Sequence, residues 1–276
     1  MAFLRLNCTV DCVKDRMDLL IAVPQKKHIR RENSRELRLG SFQQNYPLLF
    51  LLHDEASSPG ELCAMTNIQR FADEAGVVVV MPQGLLSWYT DYAQRDANQN
   101  AANSAGAGNI ENDFTEMRYG TYLLEMVEHI RRLLPVNRDR SKTYVGGVGM
   151  GGFGALKLAM AHPELFSAAF SIEGDTDLQW LMDHRPERRE QFEAIFGTLS
   201  AGGENDLPTR CAEMADAEEP PRILQIWSKE GAKSEMNRAL AARLEGNYPG
   251  YSGKEARILF DWDFVDQSLR EALGWL

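Results

Sequence analysis

The chain has 276 residues, 44% apolar and 25% charged, with 40 acidic against 30 basic side chains for a net charge of −10. Such a composition excludes a disordered or fibrous protein. It also argues against nucleic acid as a partner, because phosphate-binding chains carry a basic stripe, and the longest basic cluster here, Lys26 to Arg31, reads as a solvated loop.

In chain order, apolar runs predict strands over 17–23, 46–52, 77–81, 143–146, 166–172, 222–227 and 257–260, several continuously apolar as strands buried on both faces must be. Helical periodicity predicts helices over 61–75, 119–134, 151–162, 234–244 and 265–276, with Pro135 ending the second. The alternation predicts an α/β fold with a mostly parallel sheet and helices on both faces. Residues 94–112 form an Ala/Asn/Gly-rich excursion, and 174–221 mixes short helical pieces with loops and no strand pattern. The expected organisation is therefore one domain, 1–276, with 174–221 as a cap-like insertion.

No basic stretch followed by an apolar core opens the chain, and no later run approaches a membrane span, so a cytoplasmic protein without a membrane partner is expected. Cys8, Cys12, Cys63 and Cys211 form no C-x-x-C pair and are expected to be reduced thiols. The five histidines are scattered without metal-ligand spacing, so neither a metal nor a cofactor is expected.

The richest segment is Val145 to Gly154, VGGVGMGGFG, a strand running through a glycine-rich turn into a helix. Backbone amides at such a helix start suit an anion or a developing oxyanion. Two functions use that geometry. Gly147-x-Gly149-x-x-Gly152 matches the dinucleotide fingerprint, with Glu173 lying 21 residues beyond Gly152 as the ribose acid. Against this, several strands precede the turn, whereas the fingerprint normally opens the first βαβ unit. The same turn fits a nucleophile elbow, G-x-S-x-G, with glycine in the serine position.

The run Gly149 to Ser167, GMGGFGALKLAMAHPELFS, resembles the elbow and following helix of the esterase D family of α/β-hydrolases, which writes S-M-G-G-x-G-A there. That family includes tributyrin esterases, S-formylglutathione hydrolases and feruloyl esterases. The stretches 46–53, 79–82, 88–91, 204–207 and 261–264 fall in the family's order, so the resemblance covers the chain from about residue 16 onward and looks closest to the tributyrin esterase branch. It implies an α/β-hydrolase fold.

The catalytic set implied by the resemblance is substituted. The serine position is Gly149, the acid position, six before Asn237, is Gly231 beside Glu230, and the histidine position is Phe260. Where the family places an oxyanion amide after the strand, this chain has Asp54-Glu55 behind His53, and Glu173 adds a third acid. Two like charges about 4 Å apart at a dielectric of about 20 repel by about 4 kcal/mol, enough to cancel an oxyanion donor. The expectation is a natural pseudoesterase, not an enzyme, acting by binding or assembly. Its binding residues are His53, Asp54, Glu55, Trp88, Tyr89, Met150 and Glu173, and its ligand is a small molecule, cationic given those acids, or a protein, including a second copy of itself.

The alternative is a carboxylic ester hydrolase with a relocated nucleophile, Ser57, Ser58 or Cys63, and His53 as base. Plain structural roles compete for each. Cys63 has the pattern of a core residue, Ser57-Ser58-Pro59-Gly60 that of a turn and helix cap, His53 that of a packed strand end, Trp88-Tyr89 that of plain packing, and His162 that of a helix end.

Overall fold

The computed structural model describes residues 1–32, 35–41, 45–93 and 117–276. Eight strands form one sheet in the order β1-β2-β6-β5-β7-β8-β9-β10, with a separate hairpin β3-β4. The strands are β1 Ala2–Val10, β2 Asp15–Val23, β3 Lys26–Glu32, β4 Arg35–Ser41, β5 Leu48–Leu52, β6 Val78–Pro82, β7 Thr143–Val148, β8 Ala168–Ile172, β9 Arg222–Ser228 and β10 Tyr251–Ala256. From β6 through β10 all neighbours run parallel, while β1 and β2 are antiparallel additions at one edge. This is the α/β-hydrolase architecture expected from the sequence.

The continuous apolar runs fold this way because a strand's period of two sends alternate residues to opposite faces. Leu48, Phe50 and Leu52 of β5 join one core, and Leu49 and Leu51 join the other. Val78 and Val80 of β6 part from Val79 and Met81 in the same way. Helices α3 Tyr119–Leu133, α4 Met150–Ala161 and α8 Ser234–Leu244 pack on the first face. Helices α1 Pro59–Met65, α2 Ile68–Ala75 and α9 Trp262–Trp275 cover the second.

Several boundaries differ from the sequence expectation. The stretch 257–260 is an exposed loop, and the last strand is the polar Tyr251–Ala256, which as an edge strand paired only with β9 needs no apolar run. Lys26 to Arg31 belongs to strand β3, paired with β4, rather than to a loop. The predicted helix 61–75 is two helices, broken where Asp266 accepts the Asn67 N–H and Thr66 turns its hydroxyl back to the Leu62 carbonyl. Residues 94–112 lie outside the described residues.

Within 174–221 three helices appear, α5 Leu178–His184, α6 Arg189–Phe196 and α7 Leu207–Met214, with no strand among the described residues. Helix α6 inserts Phe192, fully buried, edge-on to the Trp88 ring at 5.1 Å. Phe192→Ala is expected to cost about 3 to 5 kcal/mol, the usual range for emptying a buried phenylalanine site, measured as a lowered urea midpoint.

Candidate active site at the strand-to-helix elbow

Strand β7 ends at Val148 and helix α4 begins at Met150, leaving Gly149 alone at the turn with φ 55° and ψ −118°. An L side chain tolerates that backbone poorly. The turn is held by the Gly149 N–H donating to the Ile172 carbonyl at 2.9 Å and by the Asp175 N–H donating to the Gly149 carbonyl at 3.2 Å. A Cβ at position 149 would fall inside the carboxylate of Asp54. Asp54 thus fills the volume that a side chain on the elbow would occupy.

Asp54 Oδ1 accepts the Met150 N–H at 2.9 Å and the Glu55 N–H at 2.8 Å. Its Oδ2 accepts no hydrogen bond among the described residues. Lys233, almost wholly buried, lies 3.8 Å from Asp54 Oδ1 and 2.6 Å from Asp175 Oδ1. The Lys233–Asp175 contact is ionic, without hydrogen-bond alignment. Burial opposes the ammonium charge, but Asp175, Asp54 and Glu55 outweigh it and raise the Lys233 pKa. Trp88 completes the chain by donating its indole N–H to Asp175 Oδ2 at 2.8 Å.

Glu55 does not stand as an uncompensated acid. Arg185 and Arg188, just beyond α5, each donate to one of its oxygens. Burial works against the Glu55 carboxylate, yet the two guanidinium bonds prevail and hold its pKa below the usual value. The expected acidic, repulsive pocket for a cationic ligand is therefore corrected: Lys233, Arg185 and Arg188, none singled out from sequence, neutralise it.

Glu173 sits at φ 47° after β8 and turns its side chain away from the elbow. Its Oε2 accepts the Ser228 N–H at 2.7 Å, and its Oε1, buried and without a hydrogen-bond partner, lies where a side chain on Gly231 would be. Burial raises its pKa against the Ser228 N–H and Lys233. A carboxylate spent in this way on the 228–231 turn is not available for a ribose, which removes the acid that the dinucleotide pattern requires.

The remaining candidates divide. The Tyr89 hydroxyl accepts the His53 N–H at 2.9 Å, pinning the end of β5, while Trp88 and Tyr89 hold φ of 50° and 52°. Gly84 N–H donates to His53 Nε2 at 2.9 Å and His53 Nδ1 meets the Asp54 carbonyl at 2.7 Å, which places the ring proton on Nδ1. With both nitrogens engaged and burial lowering its pKa, His53 is a locked neutral ring rather than a base. Ser58 caps α1 through the Glu61 N–H, and burial pushes the Cys63 thiol up to about 11. Phe260 packs edge-on against Phe264 in the exposed loop and does not fill the site. A cavity of 490 Å³ is lined by His53 and Glu55, the chain neighbours of Asp54, together with Ser57, Leu85, Tyr92 and Tyr119 among others.

A family model described as putative esterase matches residues 36–249, more than half of the chain. Together with the fold and the elbow, this places the chain in the α/β-hydrolases, and it belongs to the putative esterase family. An acetyl esterase of Caldicellulosiruptor saccharolyticus is 21% identical over the whole of this chain and 98% of its own length. Among solved structures, the substrate-bound Staphylococcus aureus fluorophosphonate-binding serine hydrolase FphF superposes with a TM-score of 0.80 at 22% identity, covering 99% of this chain and 97% of its own. The S-formylglutathione hydrolase FrmB of the same organism gives a TM-score of 0.75 at 22% identity over 99% and 98%.

These similarities correct the expectation of a pseudoesterase that is not an enzyme. Full-length similarity to proteins named for hydrolytic activity argues for an active hydrolase, and favours the alternative with a relocated nucleophile.

Two outcomes follow from the elbow. Gly149→Ser is expected to lower stability by about 1 to 3 kcal/mol through backbone strain and the encounter with Asp54, and to cost less in an Asp54→Ala background, where the carboxylate is gone. Glu173 has a folded pKa above its unfolded one, so the fold binds its proton more tightly, and stability is lost as pH rises from the unfolded value near 4.5 through the raised folded one. Urea titrations of wild type and Glu173→Gln across this window should show the variant gaining on the wild type as pH rises. A constant difference would show that Glu173 ionises as easily inside the fold as outside it.

Proposed function

We propose that the protein is a carboxylic ester hydrolase acting on short acyl esters, with the Asp54 carboxylate working at the elbow in place of a side chain on residue 149. The observation that carries this is the position of Asp54: Oδ1 is fixed by the Met150 and Glu55 amides, Oδ2 is free of hydrogen bonds among the described residues, and the group occupies the elbow's side-chain volume. A triad substituted at Gly149, Gly231 and Phe260 is part of this proposal, since it is why the nucleophile must be relocated.

In this mechanism the nucleophile is water. Direct attack by Asp54 would form a mixed anhydride, a less stable acyl compound than the ester, so general-base catalysis is the easier course. Asp54 Oδ2 takes a proton from water as the water oxygen bonds to the acyl carbon, giving a tetrahedral oxyanion. The Lys233 ammonium, 3.8 Å from Asp54, supplies positive charge beside it. As the carbon–oxygen bond to the alcohol breaks, the proton passes from Asp54 to the departing alkoxide, and the acid product leaves.

Of the residues expected to bind, Asp54, Trp88, Tyr89 and Met150 enter as the frame of this site, His53 and Glu55, which flank Asp54, line the 490 Å³ cavity proposed to receive the substrate, and Glu173 braces the 228–231 turn. A single domain with 174–221 as a cap is supported by the Arg185 and Arg188 contacts to Glu55. Four free cysteines suit a reducing compartment such as the cytoplasm, and none of the described helices is long and apolar enough to cross a membrane.

Purified protein is expected to hydrolyse p-nitrophenyl acetate, and Asp54→Asn to lower kcat/KM by about 10² to 10⁴, the contribution typical of a general base. Ser57→Ala and Ser58→Ala should leave the rate near wild type. Absence of turnover above buffer would overturn the proposal, and loss confined to Ser57→Ala would move the nucleophile there.

A further inference from the structure

Nine large apolar side chains are exposed among the described residues, and five of them, Leu85, Leu86, Ile258, Leu259 and Phe260, follow the carboxyl ends of strands β6 and β10. Those strands run parallel to β7, so both groups stand at the same end of the sheet as the elbow. Five strand spacings of about 4.8 Å set them about 24 Å apart, one on each side of Gly149. Leu85 is presented at φ 47°, where a leucine is disfavoured by its backbone as well as by its exposure. Leu85 and Leu86 also line the cavity that His53 and Glu55 border. The 258–260 loop is anchored rather than loose, since the Ser228 hydroxyl donates to the Ile258 carbonyl at 2.6 Å.

We infer that this end of the molecule docks on a neutral or zwitterionic ester-lipid surface, the two apolar groups entering the surface on either side of the site. This names a substrate class for the proposed hydrolase and rests on that proposal for the chemistry and for preferring a lipid surface to a second copy. Exposed apolar side chains gathered in two groups at one end of a molecule, rather than scattered singly, mark an interaction face. Charge selects the kind of surface. A chain of net charge −10 is repelled by anionic lipid, and exposed Glu230, Asp261 and Asp263 offset Lys229 and Arg257 beside the loop. A second copy pressed on the same end would cover the approach to the cavity that a hydrolase must keep open. Docking of this kind is peripheral and needs no spanning helix.

The test is cosedimentation of the full chain with phosphatidylcholine vesicles, alongside phosphatidylserine vesicles and light scattering of the protein alone. Wild type is expected on phosphatidylcholine, with weaker binding to phosphatidylserine. Ile258→Ser with Leu259→Ser should reduce partitioning at least tenfold, about 1.4 kcal/mol, and keep turnover of a soluble short ester. Leu133→Ser, a control 59% exposed at the end of α3, should partition as wild type does. Wild type that stays off phosphatidylcholine, or prefers phosphatidylserine, overturns the inference. So does a dimer that the double variant dissolves, because the face would then belong to a second copy. Vesicle binding without any ester turnover would leave the docking standing and defeat the hydrolase proposal alone.

Discussion

Two groups cannot share one volume, and at the elbow the Asp54 carboxylate takes the space that a side chain on residue 149 would need. Much of the site follows from this exclusion. Position 149 is confined to glycine sterically as well as by its backbone angles. With its carboxylate partly buried, Asp54 needs both donors and a cation, and finds them in the Met150 and Glu55 amides and in Lys233. Lys233, buried in turn, needs a second anion, which Asp175 provides, and Asp175 is completed by the Trp88 indole. A chain of contacts thus runs from the end of β5 through the elbow to the turn after β9 and back to the loop after β6.

Charge compensation gives the 174–221 segment its hold on the body of the molecule. A buried carboxylate is costly unless paired, and breaking one side of a buried pair costs about 3 to 5 kcal/mol because the other charge is stranded. Glu55, followed directly by the turn into α1, meets Arg185 and Arg188, while Arg188 also lies over the Trp88 and Phe192 rings at 5.3 and 5.4 Å. Apolar insertion of Phe192 and ionic closure of Glu55 therefore act at the same corner. Neither contact is local in sequence: Glu55 and Arg188 are 133 residues apart.

That separation explains which parts of the molecule were legible beforehand. The buried strands β5 to β9 are legible because residues facing two cores are apolar at most positions, and wholly so in β5 and β6, and the sequence also places α8 at 234–244. Edge strands are weaker signals. β10 is polar and β1 has about half its residues in water, so the sequence points to apolar 257–260 as the last strand and gives no strand signal over β1. At the site, the glycine turn and its acids were visible as residue types, but their meaning was not. Counted alone, Asp54, Glu55 and Glu173 looked like a repulsive cluster. The three cations that neutralise them come from segments with no motif, and a carboxylate's direction, toward the elbow for Asp54 and toward Gly231 for Glu173, is a tertiary fact.

The persistence of the elbow without serine has a packing cause rather than a catalytic one. Side chains at 147 and 151 would strike the Leu52 carbonyl, and one at 152 would strike Ser171, so the glycines are what let α4 start so close to β5 and β8. The close approach brings the amino end of α4, with its unpaired amides and positive dipole, against the end of β5. Its own cap residue, Gly149, has no side chain to satisfy those amides. Asp54 supplies the missing acceptor from the neighbouring strand through the Met150 N–H, a cap provided by tertiary contact. One oxygen of that carboxylate is thereby committed to holding the helix start, and in the proposed mechanism the other is the base, which would divide stability and reactivity at this site between the two oxygens of a single side chain.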